Sequence, residues 1–146
     1  MAIWFESEIS LDHLGQLGKG TMGDFLGIEW LELGSNFLKA SMPVNEKTCQ
    51  PYGLLHGGAS CVLAETVGSV ASALCVNHNM YYCVGLEINA NHLRSVKVGN
   101  QVFCVVRPLH IGKNTHVWDI RISDKDESLV CISRLTVAVI PRSKNL

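Results

Sequence analysis

The sequence lacks the short motifs that mark three common classes of enzyme. It has no G-x-S-x-G elbow for a nucleophilic serine, no G-x-x-x-x-G-K-[ST] phosphate loop, and no glycine-rich dinucleotide fingerprint after a predicted strand. It also has no repeat, no low-complexity stretch and no linker. These absences argue against a serine hydrolase, a nucleoside triphosphatase or a Rossmann enzyme, and we expect a single domain over residues 1–146.

Charge is scarce and nearly balanced. Charged residues make up 17% of the 146 residues, and the net charge is −1, so the chain as a whole is not drawn to nucleic acid or to an acidic membrane. The charges are unevenly spread, because residues 1–32 carry six acids and one base, whereas residues 94–121 carry five bases and one acid. The basic stretch predicts either a local phosphate site or a solvated strand face. We expect no nucleic-acid partner.

The six cysteines never form a C-x-x-C pair. Most lie in apolar segments, where a free thiol behaves as a small hydrophobic side chain. The N-terminus shows no charged-then-apolar leader and no small-residue cleavage site. We therefore expect a reduced, cytoplasmic protein.

One apolar run, from residue 59 to 76, approaches the length of a membrane span. Glu65 interrupts this run, and glycine, serine and threonine dilute it. We therefore expect a core helix of a globular domain and no membrane partner.

The remaining patterns predict one fold class. "SLDHLGQLGKG" indicates a short helix capped by Ser10, and "GIEWLEL" with "FLKASMPV" indicates a strand pair. After the long helix, expected over residues 58–76, four strand-like runs follow: "CVGLEINANHL", "QVFCVVRPLHI", "HVWDIRIS" and "LVCISRLTVAVI". This order predicts an α+β domain whose antiparallel sheet wraps one long central helix. Because a sheet covers only one side of a helix, we expect a partner subunit.

His56, Gly57 and Gly58 stand where the long helix is expected to begin. A helix N-terminus presents unpaired N–H groups and a partial positive charge. Such groups can stabilise the oxyanion of an acyl-transfer reaction, and glycine lets a substrate approach the backbone closely. The alternative is a turn that needs unusual dihedral angles.

Glu65 is the only carboxylate of the long helix, and Ser69 lies four residues later on the same face. We expect this carboxylate to be buried. A buried carboxylate can serve as a general base or a nucleophile, or it can be structural, satisfied by a buried backbone or arginine partner. Glu65 lies eight residues beyond Gly57, which is roughly 12 Å along a helix axis. If both groups act on one carbonyl, they must come from two chains whose helices run antiparallel.

Weaker candidates lie elsewhere. Gln50 precedes Pro51 and could donate a hydrogen bond to a reacting sulfur or oxygen. "NANHLRS" places His92, Arg94 and Ser95 at a strand end, where they could hold phosphate or simply face solvent. "HIGKNTH" contains a glycine turn with Lys113, and its histidines lack the spacing of a zinc site, so we expect no metal.

Two stretches together, "QPYGLLHGGASCVLAETVGS" and "GLEINANHLRS", resemble the hotdog-fold acyl-CoA thioesterases. The branch most similar acts on aryl-CoA esters such as 4-hydroxybenzoyl-CoA and 1,4-dihydroxy-2-naphthoyl-CoA. The resemblance covers roughly residues 3–140. It implies a helix wrapped by a sheet, dimers with two active sites at their interface, and often a tetramer made of two dimers.

The resemblance also implies roles for particular residues. Glu65 would attack the thioester or activate water, and Ser69 would orient that water. Gly57 N–H would polarise the carbonyl beside His56, with Gln50 near the sulfur. The CoA arm would run past a set of polar residues: His92, Arg94, Ser95, Gly112 and Lys113. Coenzyme A would enter as part of the substrate, and no cofactor is implied.

Two other functions fit the sequence. A dehydratase of the same fold, acting on 3-hydroxyacyl thioesters, would use a histidine base with a helix carboxylate, and His56 with Glu65 meets that description. A binding module for acyl-CoA would keep the glycines and the phosphate contacts but would have no use for Glu65. Thioester hydrolysis is the function that we predict.

Overall fold

Residues 1–143 are described by the computed structural model of the chain. Within them, two short helices precede a strand pair, and one long helix precedes four long strands. Their bounds are α1 Leu11–Leu17, α2 Met22–Phe25, β1 Glu29–Leu33, β2 Leu38–Pro43, α3 Gly57–Leu74, β3 Tyr81–His92, β4 Gln101–Ile111, β5 Thr115–Ser123 and β6 Leu129–Pro141.

The predicted elements are confirmed to within a few residues. Ser10 caps α1 by accepting a hydrogen bond from the His13 N–H at 3.3 Å, and α3 begins one residue earlier and ends two residues earlier than expected. The sequence did not predict α2, a single turn. The glycines at 18, 20 and 23 match the spacing G-x-G-x-x-G, but they lie between α1 and α2 and not after a strand, so they form no dinucleotide-binding unit.

The six strands form one antiparallel sheet in the order β1-β2-β4-β5-β6-β3. The period-two pattern of β5 is confirmed, because Trp118, Ile120 and Ile122 are fully buried. Helix α3 lies across this buried face of the sheet. The predicted fold class, an antiparallel sheet with one long helix packed against it, is therefore confirmed.

Helix α3 approaches the sheet closely. A Cβ atom at Gly68 would come within 3.3 Å of the Ile120 side chain and still nearer to Leu135, so only glycine permits this packing distance. One polar contact lies in the same interface, because Trp118 Nε1 donates a hydrogen bond to Ser72 Oγ at 2.6 Å. By length and composition α3 could span a membrane, but Leu63 and the other residues on its sheet-facing side form the core.

Strand β3 forms one edge of the sheet. It pairs with β6 along its length, and its other side has no strand neighbour within the described chain. Val84 and Leu86 on this strand are 40% and 63% exposed. A long edge strand with exposed apolar side chains is a typical surface for pairing with another chain, although the dimer and the tetramer remain predictions.

Candidate active site

The N-terminus of α3 opens into a pocket of about 360 Å³. Five of the predicted site residues line it: Gln50, Gly57, His92, Arg94 and Ser95. Gln50 lies in the loop that leads into α3, close in sequence to Gly57, whereas the other three come from the end of β3 and the residues after it, much later in the chain. The fold therefore brings together about half of the residues that the sequence singled out.

The first turn of α3 leaves one donor unused. Gly58 N–H donates to His56 Nδ1 at 2.8 Å, and the N–H groups of Ala59 and Ser60 both donate to the His56 carbonyl. No acceptor for the Gly57 N–H is found among residues 1–143. The helix thus presents one free backbone donor at its positive end.

His92 and Gly57 are in close contact. A Cβ atom at Gly57 would come 2.8 Å from His92 Nε2, so the imidazole packs directly on the backbone of the helix start. Gly57 has no positive φ angle, and the unusual-turn explanation for this glycine is wrong. Its lack of a side chain is needed for space beside the free N–H.

The loop that carries Gln50 is held by its own backbone. Gln50 N–H donates to the Leu54 carbonyl at 2.8 Å, and Gly53 N–H donates to the Gln50 carbonyl at 2.9 Å. Tyr52 N–H donates to the side-chain oxygen Oε1 of Gln50. With this oxygen held by the Tyr52 N–H, the side-chain NH₂ of Gln50 remains available to donate to a ligand.

Cationic side chains flank the pocket on the side of Arg94. Arg94 and Lys97 are exposed, and neither forms an ion pair with any of residues 1–143. Two other bases of the same stretch are engaged: Arg121 pairs with Asp119 at 3.1 Å, and Arg107 donates to Asn36 Oδ1 at 3.2 Å. The unengaged cations lie where a phosphate group could bind.

Glu65 lies outside this pocket. Its side chain is half-buried and not buried as expected, because it lies beside the edge strand β3 and away from the centre of the interface between α3 and the sheet. Its Oε1 atom packs against the backbone of Gly85 on β3. Ser69, one helical turn later on the same face, is also half-buried.

Gly112 and Lys113, predicted to line the route of the CoA arm, lie outside the pocket of their own chain. They form the β4–β5 hairpin turn, where Gly112 N–H donates to the Thr115 carbonyl at 2.9 Å. His92 pairs with Cys131 of β6, and Cys131 in turn pairs with Ile122 of β5. Strand β5 begins at Thr115, beside the hairpin turn and seven residues before Ile122. At the rise of a β-strand this separates the hairpin from His92 by about 20 Å or more.

A second and larger cavity, of about 700 Å³, lies between α3 and the N-terminal segment. Its body is apolar and includes Ile9, Leu14, Ile28, Trp30, Val70 and Leu74. Acidic and imidazole groups stand at its edge, where His78 Nδ1 lies 3.7 Å from Glu6 Oε1. The sequence did not predict this cavity, since residues far apart in the chain form it.

A metal centre or a reactive thiol would need clustered ligands or a thiol that ionises readily. Among the residues that the structure describes, no group of three or more His, Cys, Asp or Glu side chains could hold a metal ion. All six cysteines are free. Burial raises the pKa of Cys75 to about 12 and that of Cys131 to about 11, so these thiols stay protonated and are poor nucleophiles.

Comparison with known proteins identifies the family. The family model of the thioesterase superfamily matches residues 52–131, a range that holds the start of α3, Glu65 and the strand that ends at His92. The chain belongs to this superfamily. It is a thioesterase, and the predicted hotdog fold is confirmed.

Individual relatives cover almost the whole chain. The 1,4-dihydroxy-2-naphthoyl-CoA hydrolase of Escherichia coli is 49% identical over 94% of this chain and 99% of its own length. The proofreading thioesterase EntH of Cronobacter turicensis is 45% identical over 94% of this chain and 98% of its own. The crystal structure of a mutant thioesterase from Pseudomonas aeruginosa superposes with a TM-score of 0.93 at 50% identity, covering 97% of this chain and 100% of that one.

Proposed function

We propose that this thioesterase hydrolyses an acyl-CoA or aryl-CoA ester to the free acid and CoA. The observation that carries the proposal is the free Gly57 N–H at the start of α3, in one pocket with Gln50 and Arg94. A thioester carbonyl placed at this N–H would be polarised by the donor and by the helix dipole. The unengaged Arg94 would meet the phosphates of the CoA arm, and Ser95 and His92 would line its path.

The carboxylate would come from a second chain. Gly57 and Glu65 of one chain are about 12 Å apart along α3, too far to act on one carbonyl. A two-fold axis that sets two α3 helices antiparallel would bring Glu65 of the partner subunit to the pocket of the first chain, and the reverse. Gly112 and Lys113, on the Glu65 side of the sheet, would reach the CoA arm in the same way. The proposed enzyme is a homodimer that assembles further into a homotetramer.

Two chemical routes are open to Glu65. As a nucleophile, its oxygen would attack the carbonyl carbon, the C–S bond would break, and water would hydrolyse the resulting anhydride. As a general base, it would take a proton from water oriented by Ser69 while the oxygen of that water attacks the carbonyl. In both routes Gly57 N–H would hold the tetrahedral oxyanion, CoA would leave as the thiol, and no metal or further cofactor would be needed.

The large apolar cavity is the proposed chamber for the acyl group. Thr66 and Val70 line it, each directly following Glu65 or Ser69 in the helix. Its volume lies in the range of pockets that hold small organic ligands. An aromatic acyl group suits the apolar walls, and the E. coli relative is named for such a substrate.

The dehydratase alternative is weakened by the contact of His56. Its Nδ1 atom accepts the Gly58 N–H, so the neutral ring carries its proton on Nε2 and has no free basic nitrogen. A binding module would leave the placement of Glu65 unexplained.

A panel assay tests the proposal. Release of free thiol would be followed with aryl-CoA, aliphatic acyl-CoA and carrier-protein thioesters, and alkene formation with 3-hydroxyacyl-CoA. We expect hydrolysis, fastest with an aryl-CoA. Dehydration without thiol release, or stoichiometric binding without turnover, would refute the proposed function.

A further inference from the structure

Gly85 on β3 stands directly against the carboxylate of Glu65. A Cβ atom at this position would lie 3.5 Å from Glu65 Cδ and much closer to Oε1, below the distance that real Cβ contacts show. The carboxylate therefore packs directly against the backbone of Gly85. Any side chain at position 85 would have to displace it.

The backbone of Gly85 does not itself require glycine. Gly85 is not among the residues with a positive φ angle, so an alanine could adopt its conformation. In a strand, glycine is in fact less stable than alanine because it loses more conformational freedom on folding. Glycine is needed at this position because it leaves space for the Glu65 side chain.

The strand irregularity after Gly85 also serves the carboxylate. In a regular strand, residues 85 and 87 would share a face, and the carboxylate of Glu87 would approach that of Glu65. A bulge between Gly85 and Glu87 shifts the register, so that Glu87 pairs with Thr136, between the buried Leu135 and Val137. Glu87 is exposed and accepts a hydrogen bond from Asn89 Nδ2 at 3.1 Å, away from α3.

We propose that Gly85 is a positioning residue for the carboxylate of Glu65. Its missing side chain sets how deep the carboxylate lies between α3 and β3, and the bulge keeps a second negative charge from that place. The inference rests on the proposed function, in which Glu65 attacks the thioester or activates water. Gly85 would act through Glu65, without contacting the substrate itself.

The first test is Gly85→Ala. The added methyl group would push the carboxylate away from its position, and misplacement on that scale lowers kcat by about 10²-fold. KM should change little, and the melting temperature should stay the same or rise, since alanine suits the strand better. Val105→Ile on β4 is the matched control, because it also adds one carbon within a strand, at a half-buried residue outside the proposed site. It should leave kcat unchanged.

The second test places Gly85→Ala in a Glu65→Asp background. The shorter side chain withdraws the carboxylate by about one bond length and is itself expected to lose about 10²-fold in kcat. With the carboxylate withdrawn, the alanine methyl keeps only an ordinary van der Waals contact with Leu135, so adding Gly85→Ala should lower kcat less than about threefold further. This non-additivity is the signature of direct contact between the two residues.

The outcomes separate this inference from the proposed function. A fully active Glu65→Gln would overturn both. An inactive Glu65→Gln together with a fully active Gly85→Ala would overturn only the role of Gly85. The same holds if the losses of Gly85→Ala and Glu65→Asp simply multiply, or if Gly85→Ala unfolds both alone and with Glu65→Asp, since position 85 would then matter to the strand and not to the carboxylate.

Discussion

The start and the middle of helix α3 are built in different ways. At the start, the cap by His56, the free Gly57 N–H and the Gln50 loop all lie within a few residues of one another in sequence, and one chain completes them. In the middle, Glu65 and Ser69 lie half-buried, with Glu65 beside the edge strand β3. One part of the proposed site is local, and in the proposed mechanism a partner subunit completes the other.

The separation of these two parts has an electrostatic reason. The N-terminus of a helix attracts anions, and a carboxylate of the same chain beside Gly57 would occupy the place of the oxyanion. A distance of about 12 Å along the rigid helix prevents this. In the proposed mechanism, the donor therefore stays free until substrate binds, and the carboxylate comes from the partner subunit.

The largest expected effect comes from removing the carboxylate. Glu65→Gln keeps the volume of the side chain but removes its basic oxygen, so kcat should fall by about 10²-fold or more. The melting temperature and the oligomeric state should be kept. Steady-state kinetics and thermal melts measure both, and a destabilised variant whose folded fraction turns over normally would make Glu65 a structural residue.

Mixed dimers would test whether the two parts come from different chains. Glu65→Gln should be co-expressed with Arg94→Glu, which repels the CoA phosphates, and the pair assayed at low CoA-thioester concentration. Half of a random mixture is heterodimer with one intact site of two, so activity should recover to about a quarter of wild type by the symmetry of a dimer. No recovery above the two separate variants would place the site within one chain.

Removing the proposed phosphate contact of Arg94 should have a smaller effect, which weakens substrate binding and leaves kcat unchanged. Charge-assisted contacts are typically worth about 1.5–3 kcal/mol, so Arg94→Ala should raise KM for CoA thioesters by about 10- to 100-fold. A short pantetheine thioester, which lacks the nucleotide phosphates, is the control and should be unaffected. Equal losses on both substrates would instead show a structural defect.

The smallest effect concerns stability in acid and lies at the other end of the sheet. His116 is 1% exposed, and its Nδ1 has no hydrogen-bond partner among the described residues. Burial and the neighbouring His110 hold its pKa below the ordinary value of 6.5, against a backbone hydrogen bond at Gly112. Below about pH 6.5 this histidine takes up a proton in the unfolded chain but stays neutral in the folded chain. The free energy of unfolding therefore decreases as the pH falls.

The measurement for His116 is denaturant unfolding at several pH values. One proton of difference corresponds to a slope of up to about 1.4 kcal/mol per pH unit. His116→Phe, which cannot titrate, should reduce the acid slope between pH 6.5 and 5 while kcat at pH 7.5 stays unchanged. An unaltered slope would mean that other groups cause the acid sensitivity.

The sequence alone determined the elements of the fold other than α2, and the local half of the site. The apolar run of α3, the alternation of β5 and the cap at Ser10 are short-range patterns, and each predicts its own secondary structure. The donor at Gly57 was equally accessible, because a helix start leaves unpaired N–H groups wherever it occurs. Even the separation of Gly57 and Glu65 follows from the helical rise.

Only the tertiary structure decided what meets across the fold. His92 contacts Gly57, Glu65 contacts Gly85, and the N-terminal segment encloses a cavity with α3. In each case the residues are far apart in the chain, and no sequence pattern links them. Gly85 gave a weak signal, a glycine within a strand-like run, which often marks a bulge or a close approach. What approaches it depends on the angle at which α3 crosses the sheet, and packing sets that angle. For the same reason the hairpin of Gly112 and Lys113 lies far from His92, since strand order places it at the opposite end of the sheet.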